Sequence, residues 1–168
     1  MTIRKILTYP DPRLFVVTRP VTSFDSHLQT LIQDMFETMY TTPNGVGLAA
    51  TQIGEDLSVA VIDVSPQRRE PLVLVNPEIL ERRDVSTFME GCLSVPHVDD
   101  KIERAQWIRF TALDHQGIRY EREAEGLLAE CVQHECDHLQ GKLYYHLLSN
   151  LKRDRLLKRY RKLNPPEK

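Results

Sequence analysis

The sequence predicts an α+β fold in which mainly antiparallel sheets pack around a central helix carrying the motif HECDH, with a further helix at the C-terminus. Three observations lead there. Apolar residues recur at helical spacing in some stretches, while β-branched and aromatic residues collect in others. The two kinds of stretch are segregated along the chain rather than strictly alternating, which argues against a parallel sheet wound through crossover helices. The strand-like runs AQWIRFTALD (105–114) and IRYEREA (118–124) are joined by HQG, a link short enough to make them an antiparallel hairpin.

Taken in order, FDSHLQTLIQDMFETMY (24–40) sets Leu28, Leu31, Ile32, Met35, Phe36 and Met39 on one stripe behind a Ser/Asp cap, and is an amphipathic helix. GVGLAATQIG (45–54) places three glycines and two alanines around the polar pair Thr51 and Gln52, a composition that lets backbone approach something closely. It lacks the GK[ST] ending of a phosphate loop and no strand precedes it, so a nucleotide site is disfavoured. LSVAVIDV (57–64) and PLVLVNPEIL (71–80) are strands. EGCLSVP (90–96), taken alone, is an ordinary turn entering a strand. From Glu125 to Gln140 the period is helical again, with Gly141 placed to end the helix.

The segment SNLKRDRLLKRYRKL (149–163) carries seven Lys and Arg against one Asp, so it is +6 in a chain of net charge −2 and leaves −8 elsewhere. Leu151, Leu156, Leu157, Tyr160 and Leu163 recur at roughly helical spacing, which makes it a basic amphipathic helix before a frayed NPPEK tail. It is either a solvated helix packed by its leucines or an element that meets an anionic partner such as RNA. With 168 residues, 41% of them hydrophobic, the chain suits one domain. No apolar run approaches the roughly 20 residues of a membrane span, and the N-terminus has no signal-like stretch. The expected location is the cytosol. Three cysteines, an odd number, argue for reduced thiols rather than a disulfide framework.

HECDH at 134–138 carries the chemistry. His134 and His138 lie about 40° apart in helical projection and one turn apart, so both can reach one ion, with Glu135 beside them. Leu127 and Cys131 share that face; Cys136 points the other way and is core packing. Two histidines leave a catalytic metal short of a third protein ligand. The metzincin pattern fails because Tyr144 stands where histidine is required, and a thermolysin-type site lacks a suitable downstream glutamate. Glu130 is on the same helix face, but ligands at 130, 134 and 138 would be strung roughly 6 Å apart and could not converge. The missing ligand therefore comes from elsewhere in the chain.

GVGLAATQ (45–52), EGCLS (90–94) and HECDH (134–138), in this order, resemble the three motifs of the peptide deformylases, and YPDPRL, DMFETMY, LVNPE and GLLAECVQHECDHLQGKL extend the resemblance over nearly the whole chain. It implies a catalytic metallohydrolase domain at 1–148, with 149–168 as the basic helix and tail of the same domain. It implies Cys92, His134 and His138 as ligands of one divalent metal, with iron(II) the usual physiological ion and zinc, nickel or cobalt able to occupy the site. One thiolate and two imidazoles suit any of these ions.

Glu135 is implied as the proton-transferring group, and the Gln52 amide and Leu93 backbone N–H as donors to the developing oxyanion. Val46, Gly47, Phe88, Gly91, Leu127 and Cys131 are implied as substrate-binding residues, several of them around the methionine side chain. The implied reaction removes the formyl group from formyl-methionyl nascent chains and releases formate. The basic helix is implied to dock near the ribosomal exit tunnel, with no membrane and no DNA among the partners. The chain departs from the family at Glu130 and at His97-Val98-Asp99-Asp100; the two aspartates would favour basic residues just after methionine. A protease, a hydrolase using Cys92 as covalent nucleophile, and a non-catalytic RNA-binding protein with a structural metal are the alternatives on the residues alone.

Overall fold

Asp25 accepts a hydrogen bond from the Leu28 N–H and so starts helix α1, Ser26–Tyr40, whose apolar stripe is buried as its period requires. The computed structural model describes residues 2–165. Strands β1 (Gly47–Ala49), β2 (Val59–Ile62), β3 (Leu72–Cys92), β4 (Val95–Leu113) and β5 (Arg119–Glu125) form one antiparallel sheet in sequence order. Helix α2, Gly126–Leu139, follows β5, and helix α3, Asn150–Leu163, comes last. The β4–β5 hairpin turns at residues 114–118 as the HQG link predicts.

The two central strands are much longer than their apolar runs. Strand β3 extends to Cys92 and β4 begins at Val95, where only 71–80 and 105–114 are strand-like by composition. The added halves pair continuously, Val85 with Ala105 and Phe88 with Ile102, down to Cys92 with Val95. Backbone bonding holds them, so charged residues are tolerated on the exposed face. EGCLSVP is thus strand, two-residue turn, strand, rather than a turn leading into a strand. Likewise GVGLAATQ is itself the short strand β1 followed by a 3-10 turn, Ala50–Ile53.

Alternate residues of β2 divide the core. Ala60 and Ile62 face Leu74, Ile108, Phe110 and the α2 residues Val132 and Leu139, while Val59 and Val61 face Leu28, Leu31, Met35 and Met39 of α1. Gln133 ties α2 to β4, accepting from Ala105 N–H at 3.1 Å and donating to its carbonyl at 2.9 Å. Gly141 follows the last turn with φ +70°, and a Cβ there would stand 2.5 Å from the Phe15 carbonyl oxygen, so both conformation and space demand glycine.

Helix α3 seats Leu156 and Tyr160 against Val95, Ile102, Tyr144 and Tyr145. The expected five-residue stripe is shorter in fact: Leu151 is 61% exposed and Leu163 50%. Leu151 lies about 140° around the helix from Leu156, and Leu163 is the helix's last residue. The frayed tail expected at 164–168 falls partly on residues 166–168, outside the described residues. No helix among the described residues is long and apolar enough to cross a membrane.

Candidate metal centre

The end of β3 and the middle of α2 bring Cys92, His134 and His138 together, with one potential ligand atom from each lying within 4.8 Å of the others. The Cys92 Sγ is 3.2 Å from His138 Nε2, which is 3.1 Å from His134 Nε2. The helix supplies two of these atoms by its four-residue spacing; the third comes from a strand 42 residues earlier in the chain. Glu90 takes the Nδ1 side of His134, which fixes that nitrogen as the N–H and turns the Nε2 lone pair toward the cluster. Three donor atoms converging this closely fit a single cation, and the thiol and two imidazoles are ligands of the borderline divalent metals.

Behind the cluster, Arg104 holds Glu90 through two hydrogen bonds of 2.7 Å and reaches Asp137 at 2.9 Å. Burial alone would raise the Glu90 carboxyl, but Arg104 and His134 outweigh it and hold it down at about 2. Glu90 is therefore a carboxylate in the fold, able to orient His134. Glu90, Arg104 and Asp137 are not among the residues that the sequence singles out. Glu90 opens the EGCLS motif and so carried a signal; Arg104 carried none.

Glu135 is buried, and its Oε2 has no hydrogen-bond partner among the described residues. Burial first, and the nearby Glu90 charge in addition, push its carboxyl up to about 7 against the pull of His134. Gly47 makes room for it: a Cβ at that position would collide with Glu135 Oε1 and stand 2.7 Å from Cys131 Sγ. The glycine of β1 is thus what lets the carboxylate lie against the strand.

Gln52, almost fully buried, is held by its Oε1, which accepts from Ala49 N–H at 2.9 Å. Its Nε2 donates to Ser94 Oγ at 3.0 Å and points to Cys92 Sγ at 3.6 Å. The long contact to sulfur is the weaker one, leaving one amide hydrogen available beside the cluster. Leu93 heads the two-residue turn directly after Cys92.

These groups border a cavity of about 690 Å³, with Val46, Gly47, Gly91, Leu127 and Cys131 in its wall together with Gln52, Cys92, Leu93, His134 and Glu135. Phe88 does not line it. It is half-buried two residues before Glu90, roughly 7 Å along the strand, and Met89 lines the cavity instead. His138 is buried behind the wall. Of the acidic departures, Glu130 and Asp99 border the cavity and Asp100 does not. Arg159 donates to the Asp99 carbonyl at 2.7 Å and lies 3.9 Å from its carboxylate.

The family model described as polypeptide deformylase matches residues 3–154. The chain is 52% identical over 164 residues to a peptide deformylase of Alkalilimnicola ehrlichii, covering 97% of this chain and 92% of the relative. It is 49% identical over 163 residues to a peptide deformylase of Pseudomonas aeruginosa, covering 96% of each. Among solved structures, a peptide deformylase from Legionella pneumophila superposes with a TM-score of 0.90 at 49% identity, over 99% of this chain and 100% of that one. One from Ehrlichia chaffeensis in complex with actinonin superposes with a TM-score of 0.91 at 36% identity, with the same coverage.

Proposed function

The chain belongs to the peptide deformylase family, and from that premise we propose that it hydrolyses the formyl amide of N-formyl-methionyl nascent chains, using one divalent metal held by Cys92, His134 and His138. The observation that carries the reading is the convergence of those three ligand atoms beside a buried carboxylate with no partner on one oxygen, all at the wall of a substrate-sized cavity.

A bound ion supplies Lewis-acid polarisation and lowers the pKa of water from 15.7 toward roughly 7. Glu135, with a carboxyl near neutrality, takes the proton of the attacking water and passes it to the departing amine. As the formyl carbon becomes tetrahedral, charge grows on its oxygen, and the Gln52 Nε2 donates to it, giving up its weak contact with Cys92. The Leu93 N–H is the second donor. The C–N bond then breaks, formate leaves, and the peptide keeps a free amine. Glu90, fixed by Arg104, holds His134 in one tautomer and one orientation throughout.

The methionine side chain is received by Val46, Leu127 and Cys131, with Gly47 and Gly91 admitting the peptide backbone, and with Phe88 on the face of β3 that carries Glu90. Iron(II) is the physiological ion in this reading, and nickel, cobalt and zinc fit the same donors. The reaction takes place in the cytoplasm on chains leaving the ribosome, and the exposed cations of α3 face ribosomal RNA there.

The test is formate release from a formyl-methionyl tripeptide under anaerobic conditions, with metal-free protein reloaded in turn with iron(II), nickel, cobalt and zinc. Metal-dependent release supports the reading. Release that survives metal removal but is lost on alkylation of Cys92 would replace it with covalent catalysis.

A further inference from the structure

One wall of the cavity is a short run of backbone. Residues 42–47 all border it, and they join the end of α1 to β1. Within the run, the Gly45 N–H reaches the Thr42 carbonyl at 3.4 Å, a long bond. A segment with so little internal bonding opens easily unless its neighbours hold it.

Arg68 supplies that hold. It stands in the link between β2 and β3 and does not border the cavity. Its Nη1 donates to the Tyr40 carbonyl at 2.5 Å, and its Nη2 donates to the Thr42 and Pro43 carbonyls at 2.8 and 3.2 Å. The guanidinium carbon also lies 5.5 Å from the centre of the Tyr40 ring. A planar fork of fixed donors can grip several carbonyls of one turn at once, which a single ammonium cannot. The far end of the run belongs to the same network: the Tyr40 O–H donates to Asp63 Oδ2 at 2.7 Å, and the Asp63 N–H donates to the Val46 carbonyl at 2.8 Å. Arg68 itself has φ +53°, in the left-handed region that a residue with a side chain seldom adopts. Such a conformation persists where surrounding contacts fix it, and the side-chain contacts of Arg68 are with this turn.

We propose that Arg68 is a positioning residue that presets the cavity wall at 42–47, so that substrate meets a wall already in place. It acts through the three carbonyls and not by touching substrate. Only the identity of that substrate rests on the deformylase reading. The consequence is a split between binding and turnover. Where the wall is loose, each substrate molecule must order it, which raises KM; the ligand atoms on β3 and α2 and the carboxyl of Glu135 stay where they are, so kcat holds.

Full-length, metal-loaded wild type is compared with Arg68→Asn, Arg68→Lys and Arg69→Gln. Asparagine tolerates the left-handed backbone, so it removes the guanidinium without adding strain. Arg69 is exposed and bonds to its neighbours through its backbone N–H, which makes it the control. Two readouts are taken: steady-state kinetics on a formyl-methionyl tripeptide, and amide hydrogen exchange over residues 41–47 in the ligand-free protein. Arg68→Asn is expected to raise KM by about tenfold while kcat stays within about threefold of wild type. Exchange at 41–47 quickens by about tenfold or more, with β3 and α2 unchanged. Arg68→Lys behaves as Arg68→Asn does, and Arg69→Gln behaves as wild type. Unchanged exchange at 41–47, exchange that quickens equally over the whole chain, a fall in kcat at constant KM, or a lysine variant that restores both readouts would each overturn the proposal. If no formyl peptide is hydrolysed by any of the proteins, faster exchange confined to 41–47 supports the hold of Arg68 on the wall and counts against the reaction alone.

Discussion

Arg104 and Glu90 meet as a buried fork, Nε to Oε2 and Nη2 to Oε1, both at 2.7 Å. The pair stands 14 residues apart on adjacent strands, and its free consequence is felt on a third element, where Glu90 engages His134 of α2. Removing the guanidinium leaves Glu90 as an uncompensated buried charge. Arg104→Met is therefore expected to destabilise the fold by about 3–5 kcal/mol and to weaken metal affinity by about 10- to 100-fold. Urea denaturation and a metal titration read the two effects separately. Replacing both partners by apolar residues should recover much of the stability and none of the metal affinity.

Gly47 predicts a narrower defect. Its missing Cβ is the space in which Glu135 and Cys131 lie, so Gly47→Ala forces one of them to move. The expected cost in stability is about 1–3 kcal/mol, and where the displaced group is Glu135, the proposed proton acceptor, kcat falls further than KM rises. A steady-state comparison on one formyl peptide checks this; a change confined to KM would show that Glu135 keeps its place.

The burial of Glu135 has a pH signature in the metal-free protein. Folding raises its carboxyl from near 4.5 to about 7, mainly by burial. A raised carboxyl pKa favours the fold below the unfolded value, and that contribution is lost as pH climbs from 4.5 through 7. Glu135→Gln cannot ionise, so its stability relative to wild type should rise between pH 5 and pH 8. Denaturant midpoints of both proteins at the two pH values give the answer; a gap that is constant or shrinks would mean that Glu135 is not held in a desolvating site.

Helix α3 presents Lys152, Arg155, Lys158 and Lys162 to solvent while Leu156 and Tyr160 anchor it. Reversing those four charges should abolish co-sedimentation with ribosomes at low salt and leave hydrolysis of a free formyl tripeptide within a few-fold of wild type. Unchanged co-sedimentation would remove the ribosome from the account of this helix.

The parts of this architecture legible in the sequence are those whose signal is local. Helices α1 and α2 show their period and their ends, and the pairing of His134 with His138 follows from a four-residue spacing. The outer halves of β3 and β4 are not legible, because ERRDVSTFME is charged on its exposed face and is held by backbone pairing with a distant segment. The same holds for the site. Cys92 is joined to the histidines only through the motif resemblance, since two turns and two strands separate it from α2. Arg104 has no local mark at all, being one of many arginines until the sheet sets it behind Glu90. Phe88 is likewise carried only by the resemblance: β3 sets it two residues before Glu90 and on the same face of the strand.

We propose that Glu135 moves the proton in a metal-dependent deformylation. Its most direct test is turnover of a formyl-methionyl tripeptide by Glu135→Gln and wild type, both loaded with iron(II) under anaerobic conditions and both assayed for bound metal. Full metal occupancy is expected in the variant, with kcat lower by about 10²- to 10⁴-fold. Full occupancy with turnover within a few-fold of wild type would contradict it.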